Sequence, residues 1–320
     1  MRLSANYIIM NILDLFVSSY SHLKNYGMPY WILTPARRCL REIAYKYLPL
    51  YLNKPTSLAR KQCEGLIVSL TSFPARINDV WQVIECMKRQ TLLPEKIILW
   101  LSREQFPSKN YIPQSLKDRE DSLFSIKFVD GDIRSHKKYY YVSKKYPDKL
   151  IFLIDDDIYY DTDIISRSIK AFQEYNSRCV VCNYGYQMKF NTNGCLPYSK
   201  WKLIEEKKVG KDLFFGSGGG TLFRPSDFYS DLSNIDLAIK LTPIADDIWL
   251  NAMALKKDLT KVILSNGPLL TVKIEDNVTL SSVNNGLGRN DEQIMAVQKY
   301  YGDVFKQPKD TDNLLVVSNK

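Results

Sequence analysis

A chain of 320 residues that is 45% hydrophobic and 25% charged is long enough for one large domain with a buried core plus an extension, and too apolar to be disordered. Its formal charge of +9 is uneven: residues 1–62 hold nine Lys and Arg against Asp14 and Glu42, which places +7 there and +2 on the other 258 residues. No helix-turn-helix, zinc-finger or RNA-recognition signature accompanies that charge, which argues against nucleic acid and leaves an anionic membrane surface as the expected partner of the basic end.

The first apolar stretch, YIIMNILDLFVSSY (7–20), is interrupted by Asn11 and Asp14. It falls short of the roughly 20 residues a span requires and lacks a clear small-residue cleavage site, so neither a transmembrane helix nor a cleaved signal peptide is expected. Asn11, Asp14 and Ser18 share one helical face, with Ile9, Ile12, Leu13 and Phe16 on the other. A second helix is expected from Thr34, with Pro35 in its first turn and Trp31 nearby. It sets Arg37, Arg38, Arg41 and Lys46 beside Cys39, Leu40, Ile43 and Tyr47. Basic amphipathic helices of this kind lie in the membrane interface; docking on the body through their apolar faces is the alternative.

From Gly65 onward short apolar runs alternate with helical stretches. GLIVSLTSF, KIILWLS, IKFVDGD and KLIFLIDDD read as strands, and INDVWQVIECMKRQ as a helix. A helix capped near Asp161 or Thr162 runs to about Tyr175 with Ile165, Ile169 and Phe172 inward, followed by a strand at CVVCNYGY. A polar excursion (191–208), FFGSGGGTLFRP, a helix within LTPIADDIWLNAMALKK, VILSNGPLL, the loop NNGLGRNDEQ and a final helix to Tyr301 complete the chain. This alternation predicts an α/β fold, Rossmann-like, with a mainly parallel central sheet flanked by helices. The expected organisation is a basic amphipathic helical extension (1–62), one catalytic domain (63–302) and a polar tail (303–320). The six cysteines are unclustered and read as free thiols of a reducing compartment; Cys179 and Cys182 form a lone CxxC within an apolar run, with no second pair to complete a zinc site.

Parallel sheets place ligands at the carboxyl ends of their strands, where LIDDDIYY puts Asp155, Asp156 and Asp157. A hard cation, Mn²⁺ or Mg²⁺, would offset their mutual repulsion, since such ions bind one or two carboxylates and take other ligands from phosphates and water. Helix-dipole complementarity, the alternative, suits Asp161 and Asp163 better. Asp246 and Asp247 open another helix, where capping needs one carboxylate, so the second is free to act as general base. In GSGGG (216–220) no Gly-Lys-Ser/Thr follows and Thr221 replaces the last glycine of GxGxxG, which removes the P-loop and nicotinamide readings and leaves a backbone open to close approach, or an ordinary loop. Arg134, His136, Lys137 and Lys138 follow the third strand as diphosphate ligands or as a solvated run. With two histidines in the chain, a His-rich metal site or a Ser-His-Asp hydrolase is poorly supplied.

In the order VSLTSFPARI, KKYYYVSKKYPDKLIFLIDDDIYY, GSGGGTLFRP and ADDIW, residues 63–300 resemble a nucleotide-sugar glycosyltransferase of the GT-A type, family 2-like, as found in bacterial surface polysaccharide synthesis. The resemblance implies that Asp155 and Asp157 meet the ribose and the metal-bound diphosphate, with Asp156 beside them. It also implies Asp247 as base, Asp246 as an acceptor contact, and Thr71 and Arg76 in the nucleotide pocket. Lys138, Gly218 and Gly219 join the donor side, and Asn290 or Asp291 stands where a third metal ligand is expected. Where such folds carry an acidic base-reading residue after the second strand, this chain has Ser102 and Arg103. The implied activity is metal-dependent, inverting transfer of a sugar from a nucleotide-diphosphate donor to a glycan or lipid-linked glycan hydroxyl. The implied setting is cytoplasmic, at the inner face of the cell membrane. A non-catalytic membrane-docked sugar or nucleotide-binding module and a metal-dependent phosphohydrolase are the alternatives.

Overall fold

The computed structural model describes residues 11–22, 30–56, 60–192, 194–264, 267–273 and 288–306. Ile9, the Trp31 side chain, residues 284–287 of the Gly-rich loop and the tail beyond 306 lie outside them. The chain opens with helices α1 (Ile12–His22) and α2 (Tyr30–Leu52). It then runs through β1 (Lys61–Thr71), α3 (Val80–Lys88), β2 (Leu92–Ser102), the short α4 (Gln114–Lys117), β3 (Phe124–Val129), α5 (Lys137–Lys145), β4 (Leu150–Ile154), α6 (Ile164–Glu174) and β5 (Cys179–Cys182). The segment around the excursion read as polar (191–208) forms short strands β6 (Gly185–Gln187), β7 (Phe190–Asn191), β8 (Gly194–Cys195), β9 (Lys202–Leu203), β10 (Lys208–Gly210) and β11 (Leu213–Phe215). After these come β12 (Gly219–Phe223), α7 (Ile235–Leu241), α8 (Asp246–Lys256), β13 (Thr260–Ile263) and α9 (Arg289–Tyr301).

Eight strands form the main sheet in the order β10-β13-β5-β12-β4-β1-β2-β3. Neighbours are parallel except that β12 runs antiparallel between β4 and β5, and β10 antiparallel along β13. The α/β, mainly parallel expectation holds, with β12 as the reversal the sequence did not show. Side-chain alternation builds a core on each face. Leu66, Val68, Leu70, Phe152 and Ile154 meet α3 and α6, whereas Ile67, Ile98, Ile151 and Leu153 meet α5, α8 and α9. Chain order runs from β1 through β2 to β3 on one side and then crosses to β4 on the other. The crevice beyond the carboxyl ends of β1 and β4 is therefore the switch point at which open α/β sheets take ligands.

The N-terminal helices pack on this body. Leu13, Val17, Ala44, Leu48 and Leu52 belong to the core on the α3/α6 face. The expected faces are corrected in two respects. Asp14, placed on the outer polar side by periodicity, turns inward and accepts from the Thr162 amide at 2.6 Å and hydroxyl at 2.7 Å. The apolar residues Ile12 (46% exposed), Ile43 (40%) and Tyr47 (59%), with Cys39, face outward instead. Helix α2 is apolar on two sides, and the fold buries the side that carries Ala44, Leu48 and Leu52.

Candidate functional site at the switch point

Strand β4 delivers Asp155–Asp157 to the rim, and the residues just past β1 receive them. The Ser72 hydroxyl donates to Asp156 at 2.5 Å, and the Arg76 guanidinium reaches Asp156 at 2.8 Å and Asp157 at 2.9 Å. Lys138, in the first turn of α5, is 5% exposed and donates to Asp155 at 2.7 Å; 3.3 Å from its ammonium lies Asp246, at the start of α8. A helix N-terminus disfavours cations, so two buried lysines there need carboxylates to hold them. Lys137 has Asp132, and Lys138 has Asp155 and Asp246. His136 is fully buried and its Nε2 lies 2.7 Å from the Thr242 carbonyl, so the solvated-run reading of His136, Lys137 and Lys138 is overturned; Arg134 alone of that group is exposed.

The glycine loop is shaped by the same carboxylates. A side chain at Gly218 would place its Cβ 1.8 Å from the Asp155 carboxylate, so this position is a close approach and not an ordinary loop. Ser217 beside it donates to Asp246 at 2.7 Å. The tyrosines after the triplet lock it from behind. Tyr160 hydroxyl donates to the Gly218 carbonyl and accepts from the Asp155 amide at 2.9 Å, while Tyr159 donates to Gln82 at 2.5 Å.

Charge around the rim is unbalanced. Asp155, Asp156, Asp157, Asp246 and Asp247 face two cations, Arg76 and Lys138, because burial lowers the pKa of His136 and leaves it neutral. Burial works against the Lys138 charge, but Asp155 and Asp246 more than offset it and raise its pKa. Burial would raise Asp246 too, yet the Lys138 charge and the Ser217 hydrogen bond bring it below the ordinary range. Its neighbour goes the other way. Asp247 is pushed up to about 7, by burial and then by the Asp246 charge, with partial relief from Lys138. Asp157 also rises to about 7, through burial and Asp156, against Arg76.

Among the described residues no group of three or more His, Cys, Asp or Glu is placed to hold a metal by itself. Asp155 and Asp157 remain a two-carboxylate donor set, and together with the shortfall of positive charge they fit a hard divalent cation that takes its other ligands from phosphate and water. Of the residues expected as a third ligand, Asp291 accepts the Tyr198 amide at 2.7 Å, and Asn290 is buried beside it at the start of α9. Thr71 donates to the Trp100 carbonyl at 2.8 Å at the end of β1. Arg76, 7% exposed, is engaged with the acidic triplet. Gly219 packs on Tyr184, with a Cβ there reaching 2.4 Å from the tyrosine Cβ. Sequence reasoning missed Ser72, Ser217 and Tyr160. A serine enclosed by glycines was the available signal for Ser217.

No family model matches the chain, and no curated protein matches its sequence. Solved structures that resemble it include S. aureus TarS 1-349 in complex with UDP-GlcNAc (TM-score 0.43, 12% identity, 68% of this chain and 60% of that one). A mannosyltransferase from Pyrobaculum calidifontis in complex with GDP-Man and Mn²⁺ gives TM-score 0.42 and 11% identity over 88% of this chain and 75% of that one. The 2-C-methyl-D-erythritol 4-phosphate cytidylyltransferase of Francisella tularensis gives 0.40 and 12% over 72% and 100%. These are distant likenesses, and the functional reading rests on the chain's own side-chain geometry.

Proposed function

We propose that the chain is a metal-dependent nucleotide-sugar glycosyltransferase of GT-A type, with its donor on Asp155–Asp157 and its general base at Asp247. One observation carries this reading: Lys138 joins Asp155 and Asp246, so two acidic motifs about ninety residues apart share one rim at the switch point. Asp155 and Asp157 would hold Mn²⁺ or Mg²⁺, which when bound neutralises charge on the departing diphosphate. Arg76 and Ser72 fix the triplet; Lys138 and Ser217 fix Asp246, and with it the start of α8. Asp247 takes the proton of the acceptor hydroxyl, whose oxygen bonds the anomeric carbon as the bond to the nucleoside diphosphate breaks. A single displacement of this kind inverts the anomeric centre. A pKa near 7 suits a base working at neutral pH.

Calorimetry with UDP, GDP and CDP, with and without Mn²⁺, tests the donor site. Metal-dependent binding that Asp157→Asn loses is expected; no binding under any condition would sink the reading. Release of phosphate without any acceptor would favour a phosphohydrolase instead.

The outer face of the N-terminal helices supports a membrane-proximal setting. Ile43, Tyr47 and Leu50 recur at helical spacing on α2, Leu50 being 67% exposed, with exposed Arg38 and Lys46 alongside and Ile12 and Leu15 exposed on α1. An apolar stripe flanked by cations fits anionic headgroups and the acyl boundary beneath. No helix among the described residues is long and apolar enough to cross a membrane. Sedimentation with anionic vesicles should carry the chain down, and Ile43→Glu/Leu50→Glu should leave it in the supernatant; equal recovery of both would remove the idea.

A further inference from the structure

The excursion between β5 and β11 brings aromatic side chains together that lie far apart in its sequence. Tyr184 and Tyr186 share a hydroxyl hydrogen bond of 2.6 Å. The Tyr186 ring lies 5.4 Å from Tyr198, Tyr198 lies 4.8 Å from Trp201, and Trp201 lies 5.1 Å from Phe214. Trp201 and Phe214 are buried, while the three tyrosines stay partly open. The result is a wall with an apolar backing and a phenolic front.

That wall stands beside the acidic rim. The Gly216 amide donates to the Tyr184 carbonyl at 3.0 Å, which sets Tyr184 against the loop whose Ser217 holds Asp246. Helix α9 ties the other end: Asp291 accepts the Tyr198 amide, and Gln293 accepts the Ile244 amide at 3.1 Å, two residues before Asp246. Burial raises the phenol pKa values of Tyr184 and Tyr198, and the Asp247 charge raises both further, so both rings sit in the field of that carboxylate.

We propose that Tyr184, Tyr186 and Tyr198 form the acceptor subsite and that the acceptor presented to Asp247 is a pyranose ring stacked on them. This rests on the glycosyl-transfer reading for the role of Asp247. The chemistry comes from the two surfaces. An aromatic face is negative, and the axial C–H bonds of a pyranose present a faintly positive, apolar face to it, while the equatorial hydroxyls reach the phenol groups at the edge. An aromatic lining with a few convergent polar groups is the usual composition of a small-molecule site.

Saturation-transfer NMR with methyl α- and β-pyranosides of glucose, galactose, mannose and N-acetylglucosamine tests the wall directly. At least one pyranoside should take saturation on its ring protons, at least fivefold less with Tyr184→Leu or Tyr198→Leu. Tyr198→Phe, which keeps the ring, should retain the signal. Transfer to none of the eight, or equal transfer in the leucine variants, overturns the inference. If UDP, GDP and CDP fail to bind while a pyranoside still stacks, the transferase reading falls and the saccharide wall stands.

Discussion

Two acidic stretches lie six residues apart and are stabilised in opposite ways. Asp161 and Asp163 share one cation, Arg167 of the adjoining helix, at 2.6 Å for the closest contact to Asp161. Such a cluster can form from local sequence alone. Asp155–Asp157 instead take their cations from Arg76 and Lys138, which only the folded sheet brings near, and the two cations serve five carboxylates. Charge paired within two turns of chain is architecture. Charge gathered from distant elements and left in deficit marks a place that expects a further positive partner.

The largest effect on activity should come from the acceptor end of the deficient rim. Asp247→Asn keeps the shape of α8 but removes the proton acceptor, and should lower sugar transfer at least ~100-fold, about 2.7 kcal/mol of barrier. Nucleoside-diphosphate affinity should change by no more than a few-fold. For the wild type, kcat/KM should rise with pH up to a plateau above about 7, because Asp247 must lose its proton to act. Full transfer by the Asn variant would move the base elsewhere.

A pair of lysine and arginine variants would break the comparison itself. Lys138→Met strands Asp155 and Asp246, and removing one partner of a buried pair costs roughly 3–5 kcal/mol. Arg167→Met disturbs a partly exposed pair and should cost about 1 kcal/mol or less. Urea denaturation of both proteins ranks them. Equal losses would mean that the switch-point rim is no more dependent on its distant cations than the local cluster is on its own.

The site was legible where charge follows an apolar strand. A continuous run such as Leu150–Ile154 can only be a buried strand, so Asp155–Asp157 must emerge at a rim, and Asp246–Asp247 were readable as one carboxylate more than a helix start requires. What joins them was not. Arg76 and Asp156 are 80 positions apart, and no local pattern pairs them. The direction of β12 was hidden because an apolar strand reads alike in either sense. The aromatic wall was hidden because strands of two or three residues are too short to show a period, and its tyrosines were divided between a run read as one strand (Tyr184, Tyr186) and a run read as a polar excursion (Tyr198). On α1, Asp14 marked a polar face correctly, but periodicity could not say that Thr162 would draw that face inward.

The pH-linked effect bears most directly on what an acidic deficit means. Burial and Asp246 raise Asp247 from the usual carboxylate range, near 3.9 in an unfolded chain, to about 7 in the fold. The folded protein therefore binds this proton more tightly than the unfolded chain does. Its stabilising contribution is complete below the unfolded value and is lost as pH rises through about 7. Asparagine carries no such proton, so relative to wild type the Asp247→Asn variant should gain roughly 2–3 kcal/mol between pH 5 and pH 8, a melting-temperature difference of roughly 5–10 °C. A variant that is nearly inactive yet more heat-resistant at pH 8 would show that the rim holds its base at a cost to the fold. If the two melting curves stay parallel across that range, the carboxylate is already ionised in the free protein, and the rim has less need of a further cation than its geometry implies.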